Sequence, residues 1–341
     1  MKKLIVFLLF TSMFSAQNRG ILEIKEDLKD KQGLTKSLSF IDARSDKTIG
    51  AIDSKGKTEE IAFGQKDLNA FFNKKFQDDN KKFGNNDIVI MLEDLKLKSE
   101  PDGKYSKITY HIKISSFIKR NDRYYFVNRI DNSILRYFPT TYAPEMATEA
   151  LAQITNLFIR ESYAHPAMRT MIPEDKLADY ENIIIKNSKL FSTPELPKGV
   201  YSSYKQLLDL QPEKGFFTVK NNKGKVVNIK NGQDLTVPMR EIYGFIEDNK
   251  ISVMTLVGLL DVERDDKGMY IITSRVEQTP QDNSSIMIGA MAYGFVGVGL
   301  AAILTSGLNK RKKGDTQLYK VYIDSLTGNL IFPWTENYVA I

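Results

Sequence analysis

Two histidines, no cysteine and a scatter of carboxylates bound the chemistry open to this 341-residue chain. Without cysteine there is no thiolate nucleophile, no thiolate metal site, no disulfide and no acylatable residue behind a leader. His111 lies on the polar side of an alternating segment and reads as a solvated imidazole. His165 stands before Pro166 just past a helix end, where a cation would meet the negative end of the helix dipole. A histidine-based triad needs one of these two, and neither lies near a plausible nucleophile in sequence. The H-E-x-x-H, G-x-S-x-G, phosphate-loop and calcium-loop spacings do not occur. No catalytic residue, metal ligand set or cofactor site is therefore assigned, and the chain reads as non-enzymatic.

Three acidic groupings remain. Asp42, Arg44 and Asp46 alternate at a strand end, so that all three can face one side as a carboxylate–guanidinium–carboxylate cluster. Such a cluster binds a polar ligand or a metal, or closes on itself as a surface ion network. Glu93 and Asp94 would serve glycan hydrolysis only at a defined carboxylate separation. Glu263, Asp265 and Asp266 beside Gly268 read as a hairpin tip. Basic and aromatic residues interleave in Lys119-Arg120-Asn121-Asp122-Arg123-Tyr124-Tyr125-Phe126, the pattern of a charged β-hairpin tip or of a surface for glycans or anionic head groups.

The elements that position these groups follow from periodicity. SLSFID, TIGAI and EEIAF read as strands, and QKDLNAFFNKKF as a helix with Leu68, Phe71, Phe72 and Phe76 on one face. YSKITYHIKISSFI alternates, with Ile108, Tyr110, Ile112 and Ile114 on one side. Pro144 opens a helix whose apolar stripe is Ala147, Leu151, Ile154 and Phe158. PEDKLADYENIII is a further helical piece that can dock back on this domain. After NSKLFSTPELPK, Ser203 can cap a short helix ended by Pro212, and a series of strands with hairpin turns follows. The fold class is α+β. A mixed α/β sheet domain with two covering helices spans 37–186, a linker 187–198, and a mainly antiparallel β domain 199–341.

The N-terminus MKKLIVFLLFTSMFSA reads as a secretory signal over 1–16, followed by a lead segment over 17–36. Its apolar run falls short of the roughly 20 residues of a spanning helix. The net charge of +6 includes Lys2 and Lys3 of that leader and the cluster Lys310, Arg311, Lys312 and Lys313. Elsewhere the chain is close to neutral, which leaves no broad nucleic-acid footprint.

Residues of the first domain resemble the YajG family of bacterial envelope lipoproteins. The likeness rests on Ile41-Asp42-Ala43-Arg44-Ser45-Asp46 with Ile49-Gly50, the helix over 65–76, the strand DIVIMLEDLKL, Tyr105 and the Ala-rich helix over 147–159. It covers about residues 40–165 and implies an envelope location, while the missing cysteine leaves the family's lipid anchor without a site. The second domain is similar to exported bacterial proteins without assigned activity. Its matching residues are Lys198-Gly199-Val200-Tyr201-Ser202-Ser203-Tyr204, Pro212, Ile242-Tyr243-Gly244-Phe245, Asp248-Asn249-Lys250, Ile323-Asp324 and Thr327-Gly328. Neither resemblance implies catalytic residues.

Residues 286–308 carry no charge and would span roughly 34 Å as a straight helix, enough for a hydrocarbon core of about 30 Å. Small residues recur at four-residue spacing, including Gly289, Ala290, Gly294, Gly297 and Ala301, the pattern of helix association in membranes. The basic cluster Lys310–Lys313 follows as a cytoplasmic stop would. Against a single span, the tail QLYKVYID…NLIFPW reads as strands that would pair with MYIITSRVE. Gly297-Val298-Gly299 can instead turn the chain, making two short helices that dip into one leaflet or associate with a second copy. The function expected is binding or scaffolding on the periplasmic side of the cell envelope, with attachment or self-association through 286–308. Partners are membrane lipid or the chain itself, and an envelope protein or glycan, with no nucleic acid. A hydrolase using carboxylates and a single-span receptor are the competing readings.

Overall fold

The computed structural model describes residues 19–54, 56–224, 226–238, 241–278 and 317–334, with Arg19 as backbone only. Residues 1–16, expected as a leader, the apolar segment with Gly289, Ala290, Gly294, Gly297, Gly299 and Ala301, and the cluster Lys310–Lys313 lie outside the described residues. The fold is α+β.

In the first half the strands are β1 (Arg19–Leu22), β2 (Thr35–Asp42), β3 (Gly50–Ser54), β4 (Lys57–Phe63), β5 (Asn86–Asp102), β6 (Tyr105–Arg120), β7 (Arg123–Pro139) and β8 (Met171–Pro173). The helices are α1 (Leu68–Asp79), α2 (Ala143–Ser162) and α3 (Tyr180–Asn187). The main sheet runs β2-β5-β6-β7-β8, with β2 and β5 parallel and every other pair antiparallel. This is the mixed sheet expected.

Its alternation sets its two faces. Ile108, Tyr110, Ile112 and Ile114 of β6 are buried under the helices, as their period of two requires. Asp67 caps α1 by accepting from the Ala70 N–H at 2.9 Å, and Leu68, Phe72 and Phe76 are buried. Phe72 stacks on Phe40 of β2 at 4.5 Å between ring centroids. α2 buries Ala147, Leu151, Ile154 and Phe158, and the Tyr110 hydroxyl donates to the Ala147 carbonyl. The lead segment is part of this domain. β1 pairs in parallel with β4, and Leu22, Ile24 and Leu28 enter the core.

The opposite face of the sheet is also covered. Val89, Met91, Phe117 and Phe126 pack against Tyr180 and Ile184 of α3, which docks back as expected. Phe126 and Tyr180 stack at 5.9 Å. The segment expected as a linker contains α4 (Lys189–Ser192), whose Leu190 is buried.

The second half holds β9 (Gly199–Tyr201), α5 (Tyr204–Leu208), the hairpin β10 (Phe217–Lys220) and β11 (Val226–Lys230), then β12 (Gly244–Glu247), β13 (Lys250–Thr255), β14 (Gly258–Asp261), β15 (Glu263–Asp265), β16 (Gly268–Thr273), β17 (Tyr319–Ile323) and β18 (Leu330–Ile331). Two antiparallel sheets form, β14-β13-β12-β9 and β15-β16-β17-β18. Asp248 and Asn249 take positive φ in the β12–β13 turn, as a two-residue hairpin loop demands. Leu330, Phe332 and Tyr201 belong to the same apolar cluster as Ile134 and Phe138 of β7, so the two halves share one core.

Candidate functional site

The Asp42 group does not assemble as one cluster. Arg44 is buried and forks onto Asp42, with Nε to Oδ1 and Nη2 to Oδ2 both at 2.9 Å. Lys47 adds a contact to Asp42 Oδ1 at 3.0 Å. Asp46 turns away to Lys96 of β5 at 2.6 Å and to Thr48. Burial pushes the Asp42 carboxyl up, and the bonds from Arg44 and Lys47 outweigh it and hold its pKa below the ordinary value. Bonds from Lys96 and Thr48 likewise lower Asp46. Each carboxylate has its cation already, so this corner closes on itself.

Glu93 and Asp94 part company because the β5–β6 register shifts between Leu92 and Asp94. Asp94 Oδ2 approaches His111 Nε2 at 3.6 Å, and His111 Nδ1 lies 3.3 Å from Ser133 Oγ. The three form an Asp–His–Ser row across β5, β6 and β7. Ser133 is only 1% exposed, however, and the Trp334 ring lies 5.8 Å from the imidazole. A nucleophile needs a path to substrate, and this hydroxyl has none. His111 is half-buried rather than fully solvated. His165 also departs from expectation, because burial lowers its pKa and its Nε2 has no partner among the described residues. Burial thus works against a charge on this imidazole, where a helix-end cation was expected.

The largest polar constellation is one that sequence spacing does not reveal. Arg129 of β7 is 1% exposed and lies on the face covered by α3. Its Nε donates to Asp324 Oδ2 at 2.8 Å, and its Nη1 to Glu181 Oε2 at 2.9 Å and to the Tyr180 hydroxyl at 3.3 Å. Ser115 and Tyr180 both donate to Glu93 Oε1, at 2.6 and 3.0 Å. Lys113 lies 3.4 to 3.8 Å from Glu181, Glu93 and Asp131. Burial opposes the charge on Asp324, yet Arg129 and the N–H groups of Leu326 and Thr327 hold its pKa below the usual value. Burial raises Asp131 more than Arg129 and Lys113 lower it. Every charge here has a protein partner, so the network acts as a seam between the halves of the chain. Asp324 comes from the turn after β17, and the other members come from the first half.

The same seam continues along the free edge of β7. Asn132 Nδ2 donates to the Leu330 carbonyl at 2.9 Å, while its Oδ1 accepts from the Phe332 N–H at 3.0 Å. The side-chain amide thus stands in for a neighbouring strand and satisfies an edge that would otherwise be open. Arg275 donates to the Ser133 carbonyl at 2.8 Å and lies 4.6 Å above the Phe332 ring.

The basic–aromatic run is a β6–β7 hairpin tip. Lys119 pairs with Glu174 at 2.6 Å and sits 5.2 Å from the Tyr124 ring. Asp265 takes the Lys320 ammonium at 2.8 Å and the Tyr322 hydroxyl at 3.1 Å across its hairpin. Among the described residues, no group of three or more acidic or imidazole side chains is arranged to hold a metal.

The decisive geometry for the apolar segment lies in the strands on either side of it. β16 and β17 pair antiparallel, with Thr273 opposite Tyr319 and Ile271 opposite Val321. The chain therefore leaves this sheet after β16 and re-enters it beside the point of departure. Exposed apolar side chains attend both ends. Leu318 directly precedes β17, and Val257 follows Leu256, whose N–H donates to Gln278 Oε1. No helix among the described residues is long and apolar enough to cross a membrane. No known family, curated protein or solved structure matches this chain.

Proposed function

We propose that this protein is a non-enzymatic binding or scaffolding component of the cell envelope, exported and held at a membrane or to its own copies by residues 286–308. The observation that carries the reading is the antiparallel pairing of β16 with β17. Two strands hydrogen-bonded to each other lie on one side of a bilayer. The pairing thus supports a path that dips into the apolar phase and returns, over the single crossing of a receptor. Leu318 at 46% exposure and Val257 at 50% add apolar surface at that end.

The envelope location rests on the reading of residues 1–16 as a secretory signal. The hydrolase reading has less to stand on. It needs carboxylates gathered in a cleft with raised pKa values. Here Asp42 and Asp46 are lowered by paired cations, and Glu93 is bonded to Ser115 and Tyr180.

The test uses the absence of native cysteine. Leu318→Cys reports the side on which the chain re-enters the sheet, and Asp122→Cys, at a side chain 80% exposed, reports the side of the first domain. Lys320 is less suitable, because Asp265 engages it. An impermeant maleimide on spheroplasts should label both positions alike. Labelling of Asp122→Cys with protection of Leu318→Cys until lysis would establish a single span. Protection of both would remove export from the proposal.

A further inference from the structure

The groove between β1 and α2 gathers carboxylates that have few cations to answer them among the described residues. It has a volume of about 430 Å³, within the range of small-molecule sites. Its rim carries Glu23 and Glu26 after β1, Glu59 of β4, and Glu145 and Glu149 of α2. Lys25 is the only cation in the lining, and it pairs with Glu23 at 3.8 Å. Among the described residues, Glu26, Glu59, Glu145 and Glu149 have no ion-pair partner. Glu145 gains from the helix dipole in the first turn of α2. Glu149, one turn on, repels it, as like charges at this spacing do.

A second, independent observation comes from Asn156, which lines the inner end of the groove. It is 1% exposed, and its Nδ2 donates to the carbonyls of Asp27 and Glu26 at 2.9 and 3.3 Å. Those bonds fix the orientation of the amide and leave Oδ1 as an acceptor with no donor among the described residues. Buried acceptors are almost always satisfied, and an unmet one is destabilising. A donor is therefore wanted at the inner end, and positive charge at the rim.

The carboxylates are spread along the groove, and the described residues hold no group arranged to chelate a metal ion. Between them Ile24, Pro144 and Ala152 give a stretch of apolar wall beside Thr148 and Gln153. Spaced carboxylates, an apolar wall and one deep acceptor match a flexible alkyl chain bearing several ammonium groups. Such a ligand would lay its methylenes on Ile24 and Ala152, give one N–H to Asn156 Oδ1, and reach the glutamates with the rest. We propose that this groove is a binding site for a linear alkyl polyamine. The inference is independent of how residues 286–308 meet a membrane.

Titration calorimetry of the detergent-solubilised full chain with spermidine tests it, beside Mg²⁺ and a tetralysine peptide. The second protein is Glu145→Gln/Glu149→Gln, whose changes are exposed on α2 and should leave the thermal midpoint unaltered. Saturable binding of one spermidine per chain, at least tenfold weaker in the double variant and at least tenfold tighter than Mg²⁺, is the expected result. No binding, an unchanged affinity in the double variant, or equal responses to Mg²⁺ and spermidine would overturn the site. Tetralysine binding tenfold more tightly than spermidine would assign the ammonium groups to a polypeptide and overturn the free-polyamine reading.

Discussion

Arg129 shows what a single residue does at the seam, and why it escapes a reading by spacing. Its two carboxylate partners lie 52 and 195 residues away in sequence, so no local pattern announces them. The Asp42–Arg44 pair, two residues apart, is legible at once, although the turn of Asp46 toward Lys96 is not. Replacing Arg129 by Met leaves Asp324 buried without its cation, held only by the N–H groups of Leu326 and Thr327. At pH 7 this should lower stability by about 3–5 kcal/mol in urea unfolding, and Arg129→Met/Asp324→Asn should recover part of the loss. The pH dependence follows from the same bonds. Asp324 and Glu181 both have folded pKa values below the ordinary ones, in each case against the effect of burial. Their contribution is present above the unfolded carboxylate range and is lost as pH falls through the lowered values. Glu161 works in the opposite sense. Burial raises it to about 7, and its Oε2 has no partner among the described residues. Its contribution is complete below the unfolded value and is lost as pH rises toward 7. Glu161→Gln should therefore stabilise the protein by about 1–2 kcal/mol at pH 8 and change little at pH 4, as thermal melts at the two pH values would show.

At the scale of elements, periodicity carried most of the information. The stripes of α1 and α2 and the alternation of β6 fall where burial places them, because each is long enough for its period to be read. Ser203 accepts from the Gln206 N–H as an N-cap, and Ser203→Ala should lower stability by about 1 kcal/mol in chemical denaturation. β1 is too short to announce itself, since four residues hold no usable period and its partner β4 lies some forty residues on. α4 is short as well, and Pro194 and Pro197 nearby make its sequence look like a tether. The Thr327-Gly328 pair has a physical explanation. Gly328 takes φ +77°, its N–H donates to the Asp324 carbonyl, and a Cβ there would strike the Tyr204 ring. Its carbonyl also accepts from the Tyr243 hydroxyl. This turn presents Asp324 to Arg129, so Gly328→Ala should disturb the seam as well as the backbone. A loss of at least 1–3 kcal/mol is expected from the φ strain alone, measured by urea unfolding.

Across the whole molecule, the two halves are joined through the strands that follow the apolar segment in sequence. β17 and β18 follow the segment directly, and their strands dock on β16 and on the free edge of β7. Through Asp324 and Asn132, the strands that follow residues 286–308 in sequence are tied to the first domain. Sequence patterns supplied the premise, that strands on both sides of the segment belong together, but not the register or the partners across the seam. That arrangement makes a demanding prediction. Because Thr273 and Tyr319 are paired neighbours, the segment between them closes a loop and contributes no strand to that sheet junction. Loop-closure entropy grows slowly with length, and shortening a loop whose ends already meet is mildly stabilising at most. Replacing 286–308 by six Gly/Ser residues should therefore leave the urea midpoint of the folded protein unchanged or slightly raised. The same variant should move from the membrane fraction to the soluble fraction. Retention in the membrane fraction would locate the attachment elsewhere, and loss of the folded transition would mean that the segment is part of the core. A folded, soluble variant would identify residues 286–308 as an anchor carried on a self-sufficient sheet.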